Sequence, residues 1–331
     1  MSSPAQAHHA DLLAFGRRLS EGAPPDEEVL PGRVVAPPLR SVLYVPGNRR
    51  DWIRKCHRYG ADAIVLDLED SVPPDERPAA RAILAEEIGP LAQRVGSVWV
   101  RVNAAPDSLP LDLAAAVRPG IHVVQLPKVF APGAVQELDR ALGWHEGRAG
   151  LPFGSVVVSP ILETAGGVRR AHEICMASRR IEYVGAVVAP EGDTARALHL
   201  RVMHDAAGTE TVPLRSQVAI DARAAGVQHV TGGTVTDLDP QHAVLRAFCG
   251  INRAMGYSGM LVIHPSHVPV VNELFAPTAA ELARAVAVLR LLMSHPDRAA
   301  VRNAQGQMVD LAHARHAHAL LTQAQALGLD F

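Results

Sequence analysis

Acids, one arginine and one lysine recur where apolar runs of this chain end. "AIVLDLED" (63–70) closes on Asp67, Glu69 and Asp70, "SVWVRVN" (97–103) on Arg101 and Asn103, and "HVVQLPK" (122–128) on Lys128. "SVVVSPILE" (155–163) closes on Glu163, and the run ending at 188 is followed by Glu191 and Asp193. Pro46-Gly47-Asn48 and His264 stand at two further exits. Carboxylates crowded together repel one another, so a cation, a cluster of arginines or simple exposure to water must offset the cost. A hard cation such as Mg2+ suits the set, because that ion takes one or two carboxylates and keeps several waters.

Each of these residues also has a plainer reading. An acid at a strand end can cap the next helix or face solvent, and for Asp62, Asp75 and Glu76 this reading prevails. Asp67 lies inside its run and reads as a structural hydrogen-bonding group. Lys128, one of two lysines with Lys55, reads as an ion-pair partner of Glu69 or Asp70 before it reads as a Schiff-base nucleophile. Among His313, His316 and His318 only the first two share a helix face, and no acid or cysteine completes a zinc site.

The elements that must position these groups follow a regular pattern. Eight apolar or β-branched runs begin near 41, 63, 97, 122, 155, 181, 226 and 260, and helical stretches such as "ERPAARAILAEEI" and "RSQVAIDARAAG" separate them. Several of those stretches stop at Gly, the usual residue past a helix end. Ala63 to Leu66 are all apolar, as in a parallel strand buried on both faces. The alternation predicts an α/β protein, a (β/α)8 TIM barrel over residues 39–275, whose polar strand exits would share one face. The competing doubly wound sheet lacks a G-x-G-x-x-G after the first strand. Residues 1–38, rich in Pro and acids, read as an N-terminal extension outside the core. "APTAAELARAVAVLRLLM" and "GQMVDLAHARHAHALLTQAQALG" read as two helices of a C-terminal extension, 276–331.

Composition narrows the class. A chain of 331 residues with 48% hydrophobic content can bury one large core or two modest ones. A formal net charge of −2 gives no case for nucleic acid or an anionic membrane surface. No apolar run nears the ~20 residues of a membrane span, and "MSSPAQAHHADLLAFGRRL" does not read as a secretion signal. Cys56, Cys175 and Cys249 are odd in number and far apart, which points to a reducing cytoplasm.

Seven motifs in order carry a resemblance: "RSVLYVPGNR" (40–49), "GADAIVLDLEDSV" (60–72), "RVN" (101–103), "LPKV" (126–129), "LETAGGV" (162–168), "IHPSHVPVVNELFAPT" (263–278) and "GQMVDLAHARHA" (306–317). From about residue 39 to 318 the chain resembles the citrate lyase β-subunit / malyl-CoA lyase branch of the HpcH/HpaI aldolase family. The resemblance implies a (β/α)8 barrel that makes or cleaves carbon–carbon bonds in acyl thioesters, using Mg2+ or, in its place, Mn2+. It implies Glu163 and Asp193 as direct metal ligands, with Glu69 and Asp70 holding metal-bound waters. Arg101 would grip the substrate, and Asp310 would act from a C-terminal lid that reaches over a neighbouring subunit. Pro46, Gly47, Arg40 and Arg49, with Arg50 and Arg54, are the candidates to meet CoA, although a surface role is the plainer reading of the arginines.

The implied reaction cleaves or condenses a β-hydroxyacyl-CoA of the malyl, citramalyl or citryl type, giving a 2-oxo acid and an acyl-CoA. A homotrimer, or a hexamer of two trimers, is implied with it. The alternatives are a 2-oxo-acid aldolase without CoA, a thioester hydrolase and a non-catalytic relative. Two departures bear on them. Met260 stands where many relatives carry lysine, and "APEGDTARALH" (189–199) replaces the usual sixth-strand loop.

Overall fold

Eight short runs, apolar on both sides, become eight parallel strands in the computed structural model, which describes residues 4–21, 30–186, 188, 192–200 and 205–331. They are β1 (Ser41–Pro46), β2 (Ala63–Asp67), β3 (Ser97–Arg101), β4 (Val123–Leu126), β5 (Val157–Pro160), β6 (Tyr183–Ala186), β7 (His229–Gly232) and β8 (Gly259–Val262). Their spatial order runs β5-β4-β3-β2-β1-β8-β7-β6. Two parallel bridges, Val158 to Ile181 and Ile161 to Gly185, join the outer strands and nearly close the ring. The fold is therefore the (β/α)8 barrel that the alternation predicts.

Alternate residues on each strand serve two layers, which is why the runs read as continuously apolar. Leu43, Val45, Ile64, Leu66, Val98 and Val100 pack in the large core cluster that includes helix residues such as Leu84, Ile88 and Leu113. Val42, Ala63, Val65, Trp99, Val123, Val157, Tyr183 and Leu261 form the separate interior cluster. Asp67, in step with Ala63 and Val65, points into the interior at the end of β2.

The barrel unit comprises residues 26–275. The stretch before β1 is more ordered than its composition suggests. Leu39, with Val34 and Ala36, belongs to the interior cluster. Tyr183 Oη donates to Pro37 O at 2.6 Å, and His229 Nε2 lies 3.0 Å from Ala36 O. Arg33 donates to the carbonyls of Cys175 (3.0 Å) and Ala225 (2.8 Å). Residues 33–39 thus close the N-terminal mouth of the barrel rather than lying outside its core. A buried barrel end needs both apolar cover and satisfied carbonyls, and this segment supplies both.

The second unit joins residues 1–25 to 276–331. Its helices Pro4–Ser20, Ala279–Met293 and Leu311–Ala326 bury Leu12, Leu13, Leu282, Leu289, Ala314 and Leu321 together. Thr278 and Glu281 form a capping box at the second of these. The third begins later than predicted. Met308–Asp310 is an antiparallel strand, β10, paired with β9 (Ala300–Arg302), with Val309 buried opposite Val301 and Gly306 at φ +76° in the turn. No helix of the described residues is long and apolar enough to cross a membrane.

Candidate active site

The polar exits converge at the C-terminal ends of the strands, as the barrel requires. Asp67 and Arg101 are opposite one another in register. Arg101 donates from Nε to Asp67 Oδ1 at 2.7 Å and from Nη2 to Oδ2 at 2.6 Å. Asp67 also accepts from Glu69 N (3.0 Å) and Ser71 N (3.2 Å). Burial pushes its pKa up, but the Arg101 fork outweighs this and holds the carboxyl below its usual range. Burial likewise opposes the charge on Arg101, and Asp67 more than compensates, raising its pKa. The structural role read for Asp67 fits these bonds.

Arg101 also faces Glu69, with Nη1 3.0 Å from Oε2, and lies over the Tyr44 ring at 4.9 Å. Tyr44 Oη donates to Gln125 Oε1. Glu69 is 5% exposed, and burial, with Asp70 beside it, raises its pKa against the pull of Arg101 and Lys128.

Lys128 sits at φ +53°, a left-handed conformation unusual for a long side chain. Its backbone N–H donates to Glu163 Oε1 at 2.9 Å. Its ammonium meets Glu69 Oε1, Asp70 Oδ1 at 3.0 Å and Asp193 Oδ2 at 3.3 Å. The sequence reading of Lys128 named only the first two acids as partners. Burial works against its charge, but Glu69 and Asp70 prevail and raise its pKa.

Glu163 lies just past β5, 5% exposed, beside the Thr164 cap of helix Ala165–Arg169. Burial, then the charges of Glu69 and Asp193, push it up to about 7 against the Lys128 N–H and Arg101. Asp193 opens helix Asp193–Ala197 and pairs with Arg196 at 2.6 Å. Burial raises its pKa, but Arg196 and Lys128 outweigh that and leave it lowered. Glu191 lies outside the described residues.

Asp70, Arg101, Glu163 and Asp193 line one cavity of about 640 Å³, with Tyr44 and Pro46 on its β1 side and His264 on its β8 side. Gly47 donates its N–H to Asp67 O at 2.8 Å, and a Cβ there would come within 2.6 Å of that oxygen. Glycine is required for so close an approach. Arg49 lies over the Trp52 ring at 4.3 Å, and Trp52 lines the same cavity.

Other predicted residues lie elsewhere. Arg40 precedes β1, at the N-terminal end of the barrel, and is forked onto Asp62 at 2.7 and 2.9 Å. Its assignment to CoA is corrected, because the length of a strand separates it from the cavity mouth. Asp62, read as a cap or solvated acid, is instead this ion-pair partner. Arg50 and Arg54 pair with Glu87 at 2.9 and 2.7 Å on the flank of helix Arg77–Ala92. Asn103 bonds Leu68 O and Asp112 within the wall. His264 Nδ1 bonds Ser266 Oγ at 2.8 Å.

Asp310 belongs to the second unit, where its Oδ1 accepts from Ala312 N at 3.0 Å and meets His313 Nδ1 at 2.7 Å as the cap of helix Leu311–Ala326. Among the described residues no three His, Cys, Asp or Glu side chains form a ready metal cage. The barrel acids are instead interleaved with Arg101 and Lys128.

Tyr44, Gln125 and Trp52 escaped the sequence reading. Strand parity would have found the first two, since Tyr44 is in step with Val42, and Gln125 is paired with Arg101. Met260 is fully buried in the outer layer, where Asn252 Nδ2 donates to its sulfur at 3.2 Å, while its neighbour Leu261 lines the cavity. The side chain at position 260 therefore packs in the outer layer and does not line the cavity.

Comparisons with known proteins show which family the chain falls in. Residues 40–265 match the model of the HpcH/HpaI aldolase/citrate lyase family. A citrate lyase subunit beta-like protein of Deinococcus radiodurans is 36% identical over 290 residues, covering 85% of this chain and 97% of its own. A (3S)-malyl-CoA thioesterase of Cereibacter sphaeroides is 30% identical over 298 residues, covering 88% and 96%. The structure of CitE from Mycobacterium tuberculosis, in complex with magnesium, acetoacetate and coenzyme A, aligns with a TM-score of 0.66 at 28% identity, covering 88% of this chain and 99% of that one. The chain belongs to the HpcH/HpaI aldolase/citrate lyase family.

Proposed function

We propose that this chain is a Mg2+-dependent carbon–carbon lyase, with Mn2+ as a substitute ion. Its substrate is a β-hydroxyacyl-CoA of the malyl, citramalyl or citryl type, cleaved to a 2-oxo acid and an acyl-CoA or formed from them. The observation that carries the reading is the meeting of Glu163, Asp193 and Arg101 on one cavity. The two carboxylates fit a hard ion: both are oxygen donors, and burial with Glu69 and Asp193 raises the pKa of Glu163, a cost that a bound cation would offset. Glu69 and Asp70 are the acids for its waters. Held by Glu163 and Asp193, the ion would lower the pKa of a substrate hydroxyl and neutralise developing charge.

The chain's own residues account for the rest. Arg101, fixed by Asp67, offers guanidinium N–H groups to a substrate carboxylate. The hydroxyl proton passes to water in the cavity, and that carbon becomes a carbonyl as the carbon–carbon bond breaks. The electron pair goes to a thioester enolate, whose carbon then takes a proton. Asp310, on a lid over a neighbouring protomer of a trimer or hexamer, is the proposed acid for that last transfer. Pro46, Gly47 and Arg49 edge the first loop, where CoA would enter. Support for CoA comes from the mycobacterial structure, whose bound components include magnesium and coenzyme A. Three buried free cysteines are consistent with a cytoplasmic site.

Hydrolysis of the same thioester is the second reading, favoured by the 30% identity to a (3S)-malyl-CoA thioesterase. Incubation of the wild type and Glu163→Gln with hydroxyacyl-CoA thioesters, with and without Mg2+, tests the proposal. Turnover that needs both the ion and Glu163 supports it; turnover indifferent to both overturns it.

A further inference from the structure

Lys128 holds both proposed metal ligands, and by different parts of one residue. Its N–H fixes Glu163 Oε1 at 2.9 Å, while its ammonium reaches Asp193 Oδ2 at 3.3 Å. The backbone that sets this reach is itself pinned. Val129 N donates to Ile161 O at 3.3 Å, and Thr164 Oγ1 donates to Val129 O at 2.9 Å. Gly167 packs so close that a Cβ there would come within 2.3 Å of Val129 O. With the frame fixed and φ at +53°, the side chain is directed over the acids, where Glu69 and Asp70 complete its contacts.

We propose that Lys128 is a built-in counter-cation that shares Asp193 with the divalent ion and so holds the affinity of the site for that ion down. The inference rests on Glu163 and Asp193 being the metal pair. An ammonium 3.3 Å from a ligand oxygen repels an incoming cation and must yield its bond before that oxygen can bind the ion in full. The weakened site releases its ion readily. Lys128 acts here as a positioning residue, because it works through Asp193 and Glu163.

Arg196 supplies the control. It also pairs with Asp193, through Oδ1 at 2.6 Å, but its side chain is 76% exposed and screened by water. Mn2+ titration of the full chain, followed by electron paramagnetic resonance of the free ion, reads the affinity without any turnover. Lys128→Met keeps the backbone N–H and removes the charge; it is expected to bind Mn2+ roughly tenfold tighter or more. Lys128→Arg keeps the charge and stays near wild type, and Arg196→Met gains about twofold or less. Unchanged or weaker binding in Lys128→Met, or equal gains in Lys128→Met and Arg196→Met, overturns the proposal. Glu163→Gln separates the two levels. If it abolishes Mn2+ binding while Lys128→Met leaves the affinity unchanged, only the role of Lys128 falls. If the wild type binds no Mn2+, or Glu163→Gln binds it as well, the metal pair falls and the inference with it.

Discussion

Asp67 and Arg101 stand opposite one another on neighbouring strands and close a two-bond fork at 2.7 and 2.6 Å, at the rim of the acidic cavity. The fork gives the guanidinium one orientation, and the cavity inherits it. Asp67→Asn leaves a nearly buried cation without its main partner. The variant is expected to lose about 3–5 kcal/mol of stability in urea unfolding. Arg101→Lys keeps the charge but not the fork, and is expected to lower kcat/KM by about a hundredfold or more while unfolding closer to wild type. Comparable activity in Arg101→Lys would contradict the orientation argument.

Met260 tests whether the outer layer tolerates a charge in this sequence context. Its side chain is fully buried, and Asn252, which donates to its sulfur, also accepts from the fully buried Arg215 at 2.6 Å. Met260→Lys would add a second cation beside that guanidinium. A loss of at least about 3 kcal/mol is expected, read as a melting temperature lower by roughly 6 °C or more. A variant as stable as wild type would show that the packing there is looser than described.

Gly47 has a steric prediction. A Cβ at this position would come within 2.6 Å of Asp67 O and 3.0 Å of Leu84 Cδ1. Gly47→Ala is expected to push the first loop off β2 and destabilise the chain by about 1–3 kcal/mol, with KM for a CoA thioester rising more than kcat falls. Unchanged stability and KM would remove Gly47 from the account.

The legibility of the sequence was uneven, and geometry explains where. Strands buried on both faces announce themselves, so all eight runs are legible, with polar exits at seven of them. Lys128 was visible as an ion-pair partner, but its left-handed backbone and its reach to Asp193 arise from β5 contacts far along the chain. Arg40 and Arg49 are nine residues apart and looked equivalent, yet β1 carries the chain from one end of the barrel to the other between them. The β10 strand is three residues long, too short for any periodicity, so Asp310 read as helical when it is the cap before the helix. Segment 33–39 has the composition of a linker, because it buries carbonyls and small apolar groups rather than a patterned face.

Glu163 gives the chain a pH signature. Its folded value is about 7 against an ordinary 4.5, so the folded state holds the proton more tightly than the unfolded chain. That contribution is fully present below about 4.5 and is lost as pH rises through about 7. In EDTA, stability is expected to fall across this window by up to about 3 kcal/mol on account of Glu163. Glu163→Gln should flatten the slope in thermal melts taken at several pH values. Affinity for a divalent ion, which needs the carboxylate, should rise over the same window. A wild-type slope that persists unchanged in Glu163→Gln would place the titration elsewhere.

Product analysis with a β-hydroxyacyl-CoA of the malyl type and Mg2+ tests the central claim most directly. The account predicts a 2-oxo acid and an acyl-CoA in equal amounts, no free CoA thiol at early times, and no products with EDTA or in Glu163→Gln. Free CoA released together with the intact hydroxy acid, or the same products from Glu163→Gln, would contradict it.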